Sequence, residues 1–152
     1  KVSTEKALYI AVLLKSAMKQ FKDLDIRIGI GFGEINYISS KLTESNGTAF
    51  IRSGECFETL KKETLAISSG FNDFDRTMNL MLSLATHTMN TWSPISSQII
   101  EAALKNPSLN QSELGVLLGN KSQGTISEGL NRGGFYEIQK MISFYEEQIP
   151  TL

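Results

Sequence analysis

Between Arg27 and Glu34 the chain reads Arg-Ile-Gly-Ile-Gly-Phe-Gly-Glu, and this alternation constrains the fold more than any other stretch. Successive side chains of a strand point to opposite faces, so Ile26, Ile28, Ile30 and Phe32 share one face while glycines 29, 31 and 33 fall on the other. A face without side chains can be closed only by a near backbone, and a helix lined with small residues suits it. Ala49, Ser53 and Gly54 supply such a strip on a helix expected over 48–62, anchored by Phe50, Phe57 and Leu60. The expectation is a glycine-faced strand lying under the helix that begins near Thr48.

Around this unit the hydrophobic period alternates between the helical and the extended. Leu8, Ala11, Val12, Lys15, Met18 and Phe21 recur at helical spacing, predicting a helix from Ser3 or Thr4 to Lys22, with a hydroxyl capping its start and the lysines outward. Ile35, Tyr37 and Ile38 predict a second strand after a tight turn, followed by a polar loop over 39–47. Residues 64–68 alternate as a short strand, and 72–92 read as a long helix carrying Phe74, Met78, Met81, Leu82, Ala85 and Met89.

Beyond Trp92 every signal is helical. Ser93 and Pro94 have the chemistry of an N-cap and first helical residue, opening a helix through Lys105. Asn110 to Glu113 has the spacing of a capping box, starting a short helix through Leu118. Gly119-Asn120-Lys121 marks a turn, Ser122 a second cap, and Gly133-Gly134 a break before a final helix over 135–148. The change of period places a boundary between residues 1–92 and 93–152, with Trp92 anchoring the junction.

Composition narrows the function classes. The 152 residues carry a formal net charge of −1, which advertises neither nucleic acid nor an anionic membrane. Cys56 is the only cysteine, which excludes an internal disulfide and suits a reducing cytoplasm. His87 is the only histidine, so two-histidine zinc sites are excluded. Apolar runs are short, so no membrane partner is expected. Cys56 and the methionines read as core, and His87 as packed or surface.

Two segments stand above this background. Arg27-Ile-Gly-Ile-Gly-Phe-Gly-Glu34 and Gly47-Thr-Ala-Phe-Ile-Arg-Ser-Gly-Glu55 together resemble the SatD family, whose core looks like a class III nucleotide-cyclase domain. The resemblance covers most of residues 1–92 and implies an α+β fold: a ferredoxin-like, cyclase-like antiparallel sheet core, followed by an all-α helix-turn-helix domain. It makes Arg27, Gly31, Gly33, Glu34 and Gly47 candidates for binding a ligand, with a nucleotide as the class. Cyclases hold two metal ions on aspartates, one on a first strand that the resemblance expects before Lys1. Asp25, Glu34 and Glu55 are the nearest carboxylates here, their spacing establishes no shared metal site, and solvated or capping roles are expected of each. No catalytic residue, metal ligand or cofactor is therefore assigned, and no nucleotide-cyclising activity is expected of this chain.

The second segment, residues 111–132, looks like a helix-turn-helix, which members of the SatD family carry after the core. Gly115 is the small residue at the helix crossing, Gly119 makes the turn, and Ile126 and Leu130 pack the second helix. In that arrangement Ser122, Gln123 and Thr125 face base edges or phosphates, while Lys121 and Arg132 reach the DNA backbone. Residues 93–152 hold four basic against six acidic residues, a net charge of −2, so a monomer should bind DNA weakly. The sequence-level reading is a cytoplasmic, homodimeric DNA-binding regulator with a degenerate cyclase-like core for dimerisation or ligand sensing. Its rivals are a metal-dependent enzyme acting on a nucleotide, completed by an N-terminal strand, and a protein-interaction module.

Overall fold

A 3-10 turn, Thr4–Lys6, runs directly into α1, Ala7–Met18. Ser3 stands at the head of this turn without a side-chain cap bond, so the expected hydroxyl cap is not made. The computed structural model describes residues 3–35, 47–61 and 63–151. Leu8, Ala11 and Val12 of α1 are buried as the period predicts, but Phe21 lies beyond the helix and is exposed. Lys15 departs from the expectation that the lysines face outward: it is 1% exposed. Its Nζ donates to Asp25 Oδ1 at 2.7 Å and to Thr64 Oγ1 at 2.8 Å. A buried ammonium persists only with such partners.

After α1 the chain forms β1, Ile28–Gly31, then crosses over through α2, Thr48–Thr59, into β2, Leu65–Ser68. The strands pair in parallel, with Ile28 opposite Leu65 and Gly31 opposite Ser68. This corrects the expected ferredoxin-like antiparallel core. A helical crossover returns the chain to the end of the sheet where it began, so the strand it delivers runs parallel to the first. An antiparallel partner would have followed a hairpin at once. Of the strand expected there, Ile35 is not extended into a sheet, and Tyr37 and Ile38 lie outside the described residues, as does the loop over 39–46. Among the described residues the sheet has these two strands.

The glycine face meets α2 as its composition predicts. A Cβ on Gly29 would lie 2.7 Å from the carbonyl oxygen of Ser53, and one on Gly31 would lie 2.3 Å from Ser53 N and 2.4 Å from Ala49 O. Gly54 does not share in this contact, because its Cβ position opens on empty space. Phe57 is likewise exposed, and Cys56 and Leu60 are the buried residues of that turn. The small-residue strip is thus Ala49 and Ser53, one turn apart.

The opposite side of β2 is closed by α3, Asn72–Met89, which buries Phe74, Met78, Leu82 and Met89. The Asn79 amide donates to Ile67 O at 2.8 Å and accepts from Ile67 N at 2.9 Å. One side chain thereby satisfies a backbone pair that a third strand would otherwise take, which blunts an exposed edge. Asp75 does similar work one turn earlier, accepting from Ser69 N at 2.8 Å and Ser69 Oγ at 2.6 Å.

Four further helices complete the described structure: α4, Pro94–Lys105; α5, Gln111–Leu117; α6, Gln123–Arg132; and α7, Phe135–Gln148, ending in a 3-10 turn, Ile149–Thr151. One apolar core runs from Leu8 through Ile67 and Met78 to Ile100, Ile126 and Tyr145. Trp92 is buried at the junction, its Nε1 donating to Gly133 O at 2.8 Å. Phe32, Phe74 and Tyr145 stack with centroids 6.0–6.2 Å apart, tying the end of β1 to α3 and α7. The buried Phe74 contributes roughly 1.5–3 kcal/mol by its burial.

Candidate nucleic-acid interface

The helical half is assembled by caps written into its own sequence. Ser93 Oγ accepts from Ser96 N, with Pro94 in the first turn of α4. Asn110 and Glu113 form a complete capping box at the head of α5. Ser122 caps α6 by accepting from Thr125 N. Gly134, with φ +64°, makes the left-handed break before α7. The Ser93, Asn110 and Ser122 caps satisfy amide donors that a helix start leaves unpaired.

Between α5 and α6 the chain turns through Gly119 at φ +81° and Asn120 at φ +61°. Gly115 lies against this turn: a Cβ there would sit 2.3 Å from Lys121 O and 3.7 Å from Ile126 Cγ1. Lys121 N donates back to Gly115 O at 2.9 Å, locking the approach of the two helices. On its other side α6 rests on α4, where a Cβ on Gly129 would come within 2.5 Å of Ile99 Cδ1. Ile126 and Leu130 are buried as expected. α4 and α5 thus hold α6 and leave its remaining face to solvent.

That outer face carries most of the residues the sequence singled out. Gln123, Gly124 and Thr125 are exposed on the first turn, and Arg132 is exposed at the far end. Lys121 is half-buried in the turn. The hydroxyls of Ser122 and Thr125 pair with each other at 2.9 Å, and Gln123 Nε2 donates to Gln111 Oε1. Gln111 in turn donates to the Tyr136 hydroxyl at 3.0 Å. Arg132 pairs with Glu128, one turn back on the same face. Sequence reasoning missed Glu128 and Gln111. The i,i+4 spacing of Glu128 and Arg132 was the available signal for the first. The contact of Gln111 with Gln123 depends on how the helices cross, which no local pattern announces.

The ligand-binding candidates of the first half are divided between the two ends of β1. Arg27, at the start of the strand, donates to Leu60 O and stands 4.9 Å from the centroid of the Phe57 ring. Gly33, Glu34 and Gly47 meet at the other end, beside the start of α2. There Glu34 N donates to Thr48 Oγ1 at 3.0 Å, and Ala49 N donates to Glu34 O at 3.3 Å. Gly31 lies under α2. Arg52 completes this corner by donating to Phe32 O at 2.8 Å. Among the described residues, no three His, Cys, Asp or Glu side chains gather closely enough to hold a metal ion. No described helix is long and apolar enough to cross a membrane.

Comparison of the chain with known protein families, curated proteins and solved structures gives no match.

Proposed function

We propose that the chain is a DNA-binding regulatory protein in which α5 and α6 act as a helix-turn-helix and α6 enters the major groove. The observation that carries this reading is the cluster of Gln123, Gly124 and Thr125, exposed together on the first turn of a helix held by α4 and α5. In helix-turn-helix proteins the N-terminal residues of the second helix contact base edges. Gln123 offers an amide suited to adenine, and Gly124 allows close approach. Arg132 and Lys121 supply backbone contacts. The resemblance of residues 27–34 and 47–55 to the SatD family supports the same reading, since that family joins such a module to its core.

Electrostatics sets the terms of binding. The Arg132 guanidinium is already paired with Glu128, so a phosphate must displace a carboxylate to reach it. With a net charge of −2 over residues 93–152, affinity should be modest and its salt dependence shallow. Fluorescence anisotropy of the chain on random and genomic duplexes, at low and moderate salt, tests the reading. Gln123→Ala should relax preference at one base pair, worth about 1–3 kcal/mol. Arg132→Ala should weaken binding evenly across sequences. Failure to bind any duplex at low salt refutes the proposal.

A protein-docking role is the second reading. It is favoured by Val116 and Leu117, which are exposed on α5 at the side of the same helix pair.

A further inference from the structure

We infer that the surface formed by α3 and α7 seats a second copy of this chain about a two-fold axis. The inference builds on the DNA-binding reading, which calls for two recognition helices, but its evidence is the surface itself. On the outer side of α3, Leu80 and Leu84 are 64% and 69% exposed, one turn apart. They form an apolar ridge. Leu84 also lines the near wall of a groove of about 670 Å³, together with Met81 and Ala85 of α3, facing Ile138, Met141 and Phe144 of α7. The helices close at one end, where a Cβ on Gly134 would lie 3.2 Å from Thr88 Cγ2.

A helix of any partner seated in the groove would cover Leu84 but leave Leu80, one turn away, in water. A two-fold pairing covers both at once, because the ridge of each copy enters the groove of the other. The charges on the rim agree. Glu137 and Lys140 are exposed on α7, opposite in sign and three residues apart. Antiparallel crossing of two α7 helices places Glu137 beside Lys140 of the second copy, and the symmetry repeats the pair. An apolar centre with a charged rim is the usual anatomy of a stable interface. The whole chain carries a net charge of only −1, so two copies repel little.

The same geometry serves DNA. Asn131 and Arg132, at the C-terminal end of α6, border the groove, whereas Gln123, Gly124 and Thr125 of its first turn lie outside it.

Sedimentation equilibrium of the purified chain, without DNA, tests the inference. The expected species is a dimer. Leu84→Glu, at an exposed position where the monomer's circular dichroism spectrum should not change, should raise the dimer dissociation constant about thirtyfold or more. Glu137→Lys and Lys140→Glu should each weaken the dimer, and the two together should restore it. A chain that stays monomeric overturns the inference and leaves the groove to a different protein. It is equally overturned if Leu84→Glu remains as dimeric as the parent, or if the double reversal associates no better than the single ones. A dimer that binds no duplex refutes the DNA-binding reading alone. A monomer that binds duplex refutes this inference alone.

Discussion

The β1–α2–β2 unit and the α4–α5–α6 unit both bring backbones together at glycine, and they do so on different scales. Gly31 meets Ser53 and Ala49 across a crossover, backbone against backbone. Gly115 meets Lys121, six residues on, through a turn that the chain makes locally. The helices differ in the same way. α4, α5 and α6 each carry a side-chain cap, whereas α1, α2 and α3 carry none. In the first half, then, helix ends and strand pairing are held by distant contacts: Lys15 on Asp25 and Thr64, Asn79 on Ile67, Arg52 on Phe32. In the second half α4, α5 and α6 each begin on a side-chain cap, α7 begins after the left-handed Gly134 without one, and packing adds to structure already favoured locally. The first half should therefore yield to single changes in long-range contacts, and the second to changes in caps.

The strongest test of that contrast is Gly31→Val. Its methyl groups would enter a space where the nearest neighbours are main-chain atoms that no rotamer change can move. A loss of about 3 kcal/mol is expected, at the upper end of overpacking costs, read as a fall in the urea midpoint. A midpoint like that of the parent would break the claim that the first half depends on this contact.

Lys15→Met comes next. The substitution keeps the apolar stem but removes the ammonium that donates to Asp25 and Thr64, leaving Asp25 the Ile26 amide and Lys19. Asp25 keeps about a third of its surface in water (34%), so it can rehydrate, and the cost should fall to about 1–2 kcal/mol. The two partners shift in keeping with their unequal burial. Burial outweighs the pairing with Asp25 and holds the Lys15 ammonium below the usual lysine range. Burial also pushes Asp25 upward. The Lys15 hydrogen bond, the Ile26 amide and the charges of Lys15 and Lys19 overcome that and hold its carboxyl below the usual aspartate value of 3.8. The unfolded chain thus binds the Asp25 proton more readily than the folded one. The pair's contribution is present above about pH 4 and is lost as pH falls through the folded value. Asp25→Asn should flatten this acid limb in a series of denaturation curves from pH 6 to pH 2.

A change on the other side of the comparison is Asn110→Ala. It removes a cap that accepts from Ser112 N at 2.9 Å and Glu113 N at 3.1 Å, and should cost about 1 kcal/mol. Hydrogen exchange should show the loss confined to α5, with β1 and β2 still protected. Spread of the loss to the sheet would mean that the two halves do not differ as described. Gly54→Ala gives the smallest effect and the opposite sign. Its Cβ position is open and its backbone helical, so about 0.5–1 kcal/mol of stabilisation is expected in the same urea assay.

The contrast also explains what could be read without coordinates. The caps at Ser93, Asn110 and Ser122, the turn at Gly119 and the break at Gly133-Gly134 were legible because each is a bond or dihedral between near neighbours. The exposed first turn of α6 followed from them. The cover over Gly29 and Gly31 was legible too, since a bare face admits only a near backbone. Strand direction was not. The same alternation of residues pairs either way, and the crossover through α2 decided it in favour of a parallel pair. The ligand candidates divide for a related reason: Gly33, Glu34 and Gly47 meet at one end of β1, while the extended strand carries Arg27 to the other.

What the sequence by itself determined about this protein is therefore the set of elements with local cause: helix starts, the turn between α5 and α6, and the glycine face that needs a helix. What the tertiary structure alone decided is the direction of β2, the burial of Lys15, the use of Asn79 in place of a strand, and the groove between α3 and α7 that Leu84 lines. Each of these rests on atoms far apart along the chain. A helical lysine is written the same way whether it meets water or a carboxylate. Only the fold brings Asp25 and Thr64 to within hydrogen-bond reach of Lys15 and so makes its burial possible.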